Sequence, residues 1–93
     1  MLFLPYLDTI ARIDNMFGEN LRTERKKLGL STEALAKACG TSRSYLTLIE
    51  NGKRLPGKQI LPKIAKALGV KTIVVLNWYL EDVAKNLHKE LVN

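Results

Sequence analysis

The chain has 93 residues, 46% of them apolar, and a formal net charge of +6 at pH 7. That length fits one compact domain with a little left over at each end, and the apolar share excludes an intrinsically disordered chain. One cysteine, Cys39, excludes an intrachain disulfide and fits a reducing compartment; with a single distant histidine, His88, it leaves almost no material for a metal site, and no cofactor is implied.

The opening MLFLPYL is apolar but short, lacks a basic flank, and runs into Pro5 and then Asp8. It is neither a signal peptide nor a membrane span, so the expected location is cytoplasmic, with no membrane partner. A short helix is expected over 5–15, where Pro5 suits the opening position and Leu7, Ile10, Ala11 and Asp14 share a face. The next helix is expected over 17–28, with Phe17, Leu21, Arg25 and Leu28 on one side and Gly29 as its stop.

Ser31 is placed to cap a third helix over 32–39, with Leu35, Ala36 and Cys39 inward and Gly40 closing it. Cys39 reads as a small core residue. Ser42 caps a fourth helix over 43–51, with Leu46 and Ile49 inward and Gly52 as the stop. The KRLPGK segment is a loop. A fifth helix carries Leu61, Ile64, Ala65 and Leu68 inward, with Pro62 expected in its first turn, where an N–H would lack a partner anyway. The last helix, expected over 72–91, has one stripe of Ile73, Leu76, Leu80, Val83, Leu87 and Leu91 and a second patch of Val74, Val75, Trp78 and Tyr79. A helix with two apolar faces packs on its own domain and on something else.

The positive charge is localised. Residues 17–71 hold twelve Lys/Arg and four Asp/Glu, whereas residues 1–16 and 72–93 each carry a net −1. An excess of +8 confined to the middle of the chain points to a polyanion, with nucleic acid the first choice. Within that stretch, residues 30–56 place two helices of about eight residues around a tight glycine-containing turn, the spacing of a helix-turn-helix. The first helix of such a motif lies across the DNA backbone and braces the second, whose N-terminal residues reach base edges. Ala36 must be small where the second helix crosses it.

Over residues 17–71 the chain resembles the lambda-repressor-like, or Cro/C1-type, helix-turn-helix family. The resemblance is carried by Leu35-Ala36, Gly40, Ser42-Arg43-Ser44-Tyr45, Ile49-Glu50-Asn51-Gly52-Lys53 and Ile64-Ala65-Lys66-Ala67-Leu68-Gly69-Val70. It implies an all-α fold: a five-helix DNA-binding bundle, here with a short extra N-terminal helix and a long C-terminal one. The domain organisation expected is an apolar extension over 1–16, the DNA-binding domain over 17–71, and a packing or dimerisation helix over 72–93. The resemblance further implies a transcriptional regulator of double-stranded DNA, a repressor acting as a dimer, with Arg25 and Glu50 forming a structural ion pair. Base contacts are implied for Arg43, Ser44, Thr47 and Leu48, and phosphate contacts for Thr32, Ser42, Tyr45, Asn51, Lys53 and Arg54. Thr32 stands where family members often have glutamine, and Leu48 where they often have a polar or basic residue.

No nucleophile–base pair, carboxylate pair or phosphate-cradling glycine loop is present, so an enzyme is not expected. The rival reading is an antitoxin or adaptor that binds a protein through its terminal helices. Trp78, Leu80, Val83, Leu87 and Leu91 are the residues expected to form a homodimer, joined by Phe3, Leu4 and Leu7.

Overall fold

The computed structural model describes residues 16–92. Within them lie five α-helices, α1 (Met16–Lys27), α2 (Thr32–Ala38), α3 (Arg43–Glu50), α4 (Leu61–Leu68) and α5 (Thr72–Val92), and no strand. A 3-10 turn at Lys58–Ile60 leads into α4 and places Pro62 in that helix's first turn. The helix expected over 5–15, and the contacts expected of Phe3, Leu4 and Leu7, fall outside the described residues.

The boundaries of α2 and α3 follow from local chemistry. Ser31 and Ser42 sit in extended conformation, and each hydroxyl oxygen accepts a 3.0 Å bond from the N–H three residues on, of Ala34 and Tyr45. These bonds satisfy donors that the first helical turn leaves unpaired. Both helices then end on a left-handed glycine, Gly40 (φ +68°) and Gly52 (φ +75°). Thr41 N–H donates back to Ala36 O and Lys53 N–H to Leu48 O, both at 2.9 Å, closing the ends so that the chain reverses sharply. Any other L-residue would pay about 1–2 kcal/mol for that backbone conformation.

One core joins all five helices. Phe17 and Leu21 of α1 meet Leu35, Ala36 and Cys39, then Leu46 and Ile49 of α3, the Ile60–Leu68 stretch, and Val75 of α5. Ala36 is buried where α2 crosses α3, as its small size requires. Leu28, expected on the inward face with Leu21 and Arg25, is instead 52% exposed. Helix α1 stops at Lys27, so Leu28 leaves the helical track, and Leu30 packs against the core in its place.

The long helix α5 chooses between its two apolar faces. Val75 is fully buried, Trp78 and Tyr79 pack against the core, and the Trp78 ring meets Phe17 edge-on at 5.9 Å and 84°. Trp78, expected among the dimer residues, is half-buried and already engaged within its own chain. The stripe containing Ile73, Leu80, Leu87 and Leu91 faces outward.

A charged residue fixes where α5 sits. Asp82 is buried on the inward face, and its two carboxylate oxygens accept from the N–H groups of Met16 (2.8 Å) and Phe17 (2.9 Å). A carboxylate at a helix N-terminus satisfies orphan donors and meets the positive end of the helix dipole. A residue 65 positions away in the chain therefore does the work that a local serine does for α2 and α3. Lys85, one turn beyond Asp82, is buried on the same face.

Candidate nucleic-acid interface

Helix α3 is amphipathic in a way that divides its residues cleanly. Leu46 and Ile49 are fully buried, while Arg43, Ser44, Thr47 and Leu48 are all exposed and share the opposite face, as steps of one and four along a helix require. The structure therefore brings together the four residues singled out for base contact. Ser42 precedes them at the cap; its oxygen is engaged by the Tyr45 N–H, which leaves the hydroxyl proton available to an acceptor. Thr32, half-buried, opens α2 next to Ser31.

Tyr45 has a definite structural task. Its phenolic oxygen accepts a 2.9 Å bond from Gly57 N–H, and the Arg54 guanidinium lies 5.2 Å from the centroid of its ring. The negative face of the ring quadrupole attracts a cation placed over it. Through these two contacts α3 holds the loop that follows it and sets out Lys53 and Arg54, both exposed, beside its C-terminal end.

That C-terminal end is fixed by charge. Glu50 is buried, its side chain 5% exposed, and Arg25 reaches it with Nε donating to Oε2 at 2.8 Å and Nη2 donating to Oε1 at 3.2 Å. Such a fork-to-fork pair is the strong geometry for arginine and carboxylate. The third guanidinium nitrogen of Arg25, Nη1, donates to Leu30 O at 2.8 Å, tying the α1–α2 turn into the same cluster. A second arginine, not expected at this place, joins in. Arg22 Nη2 donates to Glu50 O (3.1 Å) and to Asn51 Oδ1 (2.8 Å), and its Nε lies 3.6 Å from Glu50 Oε1. The only signal in the chain was its position three residues before Arg25, on the same face of α1.

Elsewhere, Lys37, Lys63 and Lys66 line a groove between α2 and α4 next to Cys39. Burial pushes the Cys39 thiol up, and nearby Lys63 partly offsets this, so the group is a protonated core side chain at neutral pH. Among the described residues no group of His, Cys, Asp and Glu could hold a metal ion, and no helix is long and apolar enough to cross a membrane. Of the residues expected at a dimer contact, Leu80, Leu87 and Leu91 are exposed and Val83 is half-buried.

Two short capped helices, a glycine turn between them and a second helix with Arg43, Ser44, Thr47 and Leu48 on its exposed face define a helix-turn-helix protein. A helix-turn-helix family model matches residues 21–75, and the chain belongs to the Cro/C1-type helix-turn-helix family. An HTH-type transcriptional regulator of Mycobacterium tuberculosis is 38% identical over 58 residues, covering 62% of this chain and 41% of the relative. The ImmF control region 10 kDa protein of Bacillus phage phi105 is 44% identical over 48 residues, 52% of this chain and 53% of that protein. The chain thus spans about half or less of these two relatives. Among solved structures, the restriction-modification controller protein C.AhdI of Aeromonas hydrophila superposes with a TM-score of 0.63 at 35% identity, over 73% of this chain and 97% of that one.

The Glu50 cluster makes a thermodynamic prediction. Glu50→Ala leaves Arg25 buried without its counter-charge and should cost about 3–5 kcal/mol of folding stability. Arg25→Met in the Glu50→Ala background should then cost little more. Urea denaturation of the wild type, both single variants and the double variant measures this cycle, and additive losses would contradict it.

Proposed function

We propose that the chain is a sequence-specific double-stranded DNA-binding transcriptional regulator, acting as a repressor, that reads the major groove with α3. The observation that carries this reading is the exposed face of Arg43, Ser44, Thr47 and Leu48 on a helix held at both ends. Arg43 is suited to a bidentate pair with guanine O6 and N7, Ser44 to a less selective bond, and Leu48 to a thymine methyl. Around that face, Thr32, Ser42, Asn51, Lys53 and Arg54 serve phosphates, which position the helix without carrying sequence information. Tyr45 contributes chiefly by holding the loop that presents Arg54. Repression follows from occupancy: a protein seated on promoter DNA excludes polymerase. The names of the phage control-region relative and of the controller protein C.AhdI agree with such a role.

The acting species is a homodimer in this reading, with the outward stripe of Leu80, Leu87 and Leu91 as its apolar contact. A two-fold pair would present its reading helices about 34 Å apart, matched to a symmetric operator. Sedimentation should give a dimer at about tens of micromolar, the range of weak association, and a monomer there would contradict this contact. A non-enzymatic role in the cytoplasm belongs to this reading, in keeping with the helix-turn-helix family match.

Binding to the duplex upstream of its own gene should exceed binding to random duplex by about 10³ or more. Arg43→Ala should remove most of that preference while leaving the weaker, salt-sensitive component in place. Fluorescence anisotropy over a salt series separates the two components. Equal, salt-sensitive binding to both duplexes would contradict the reading and favour the antitoxin or adaptor role, exercised through the terminal helices.

A further inference from the structure

Asn51 ends the reading helix, is exposed, and could turn either edge of its amide outward. A phosphate oxygen only accepts hydrogen bonds, so an asparagine serves it only when the NH2 group, and not the carbonyl oxygen, faces the DNA. In most proteins the choice of edge is ambiguous, because the two are nearly the same shape. Here it is not. The partner is Arg22 Nη2, at 2.8 Å, and a guanidinium has donors only. The amide edge next to Arg22 must therefore be Oδ1, and Nδ2 is turned away from it.

We propose that Arg22 is a positioning residue for DNA binding, which holds the Asn51 amide in its donor-outward orientation and acts through Asn51 rather than on DNA itself. This rests on the phosphate role given to Asn51 above. Arg22 is well placed for the task because it is anchored independently of Asn51. The same Nη2 donates to Glu50 O at the last turn of α3, and Nε lies 3.6 Å from the buried Glu50 carboxylate. That carboxylate is in turn fixed by Arg25. A chain of contacts thus runs from the core side of α1, through Glu50, to the edge of the reading surface, with each donor facing an acceptor. Without Arg22 the amide would lose the bond that holds Oδ1 inward and could turn its oxygen, an acceptor, toward the phosphate. The other cationic groups at this end, Lys53 and Arg54, lie on the following loop, where the Arg54 guanidinium sits over the Tyr45 ring.

The experiment is a double-variant cycle on DNA affinity, using wild type, Arg22→Met, Asn51→Ala and the combination. The probes are the upstream duplex and a random duplex, each titrated over a salt series. Asn51→Ala should weaken both about 3–10-fold, since a phosphate contact acts uniformly across sequences. Arg22→Met should lose a similar factor alone, yet less than about 2-fold in the Asn51→Ala background. Its salt slope should match that of wild type, because the arginine itself displaces no counterion; direct contact with a phosphate would lower the slope by about 0.9. Arg22→Lys keeps the charge but lacks the planar fork, so it should bind more weakly than wild type. Thermal melts of each variant show whether it is folded at the temperature of the titration. Additive losses, a reduced salt slope in Arg22→Met, or full affinity in Arg22→Lys would overturn the proposal. If the wild type binds and Asn51→Ala binds equally well, this inference falls while the reading by α3 stands. If the wild type shows no preference for the upstream duplex, it is that reading which falls.

Discussion

A carboxylate with its side chain 5% exposed, gripped by the Arg25 guanidinium and approached by a second, is the constraint on which the reading surface depends. Glu50 is the last residue of α3, and both arginines come from α1. Removing such charges from water is costly, and only good geometry with full hydrogen bonding offsets the cost. The forked pair with Arg25 meets that demand, and the Arg25 bond to Leu30 O engages its third nitrogen at the α1–α2 turn. Hydrophobic contacts at Leu46 and Ile49 set how deep α3 sits; the ion cluster sets its angle and its end. If α3 places Arg43 within hydrogen-bond reach of a base, as proposed above, it tolerates little rocking, and these buried charges serve that precision.

The same logic extends to the long helix. Helix α5 is joined to the bundle by Val75 and Trp78 and, through Asp82, to the first two N–H groups of α1. The helix that holds α3 at one end is therefore itself held by α5 at the other. A cap of this kind contributes about 1–2 kcal/mol. More important, it commits one face of α5 to its own chain and leaves Leu80, Leu87 and Leu91 on the other, an arrangement suited to joining two copies.

What the chain revealed on inspection, and what it hid, divides by range of interaction. Ser31, Ser42, Gly40 and Gly52 act on atoms three to five positions away, so the two motif helices and their ends could be read directly from residue type and spacing. The pattern at Leu35, Ala36, Leu46 and Ile49 identified the inward faces for the same reason. Asp82 bonds across 65 residues and Arg22 across 29, and neither residue type nor local spacing marks either as a partner at such range. Periodicity gives α5 two apolar faces but holds no information about which meets Phe17; the contact with Trp78 decides it. Leu28 illustrates a smaller effect: a helix ending one residue early turns an expected core leucine into an exposed one.

The most direct test of the account is amide chemical-shift mapping of the labelled protein as the upstream duplex is added. The account predicts that the largest changes fall at the start of α2, along residues 42–48 and over 51–54, while the outward stripe of α5 and the lysine groove beside Cys39 move little. Largest changes on α5 or in that groove, with α3 unmoved, would contradict the claim that α3 is the surface that reads DNA.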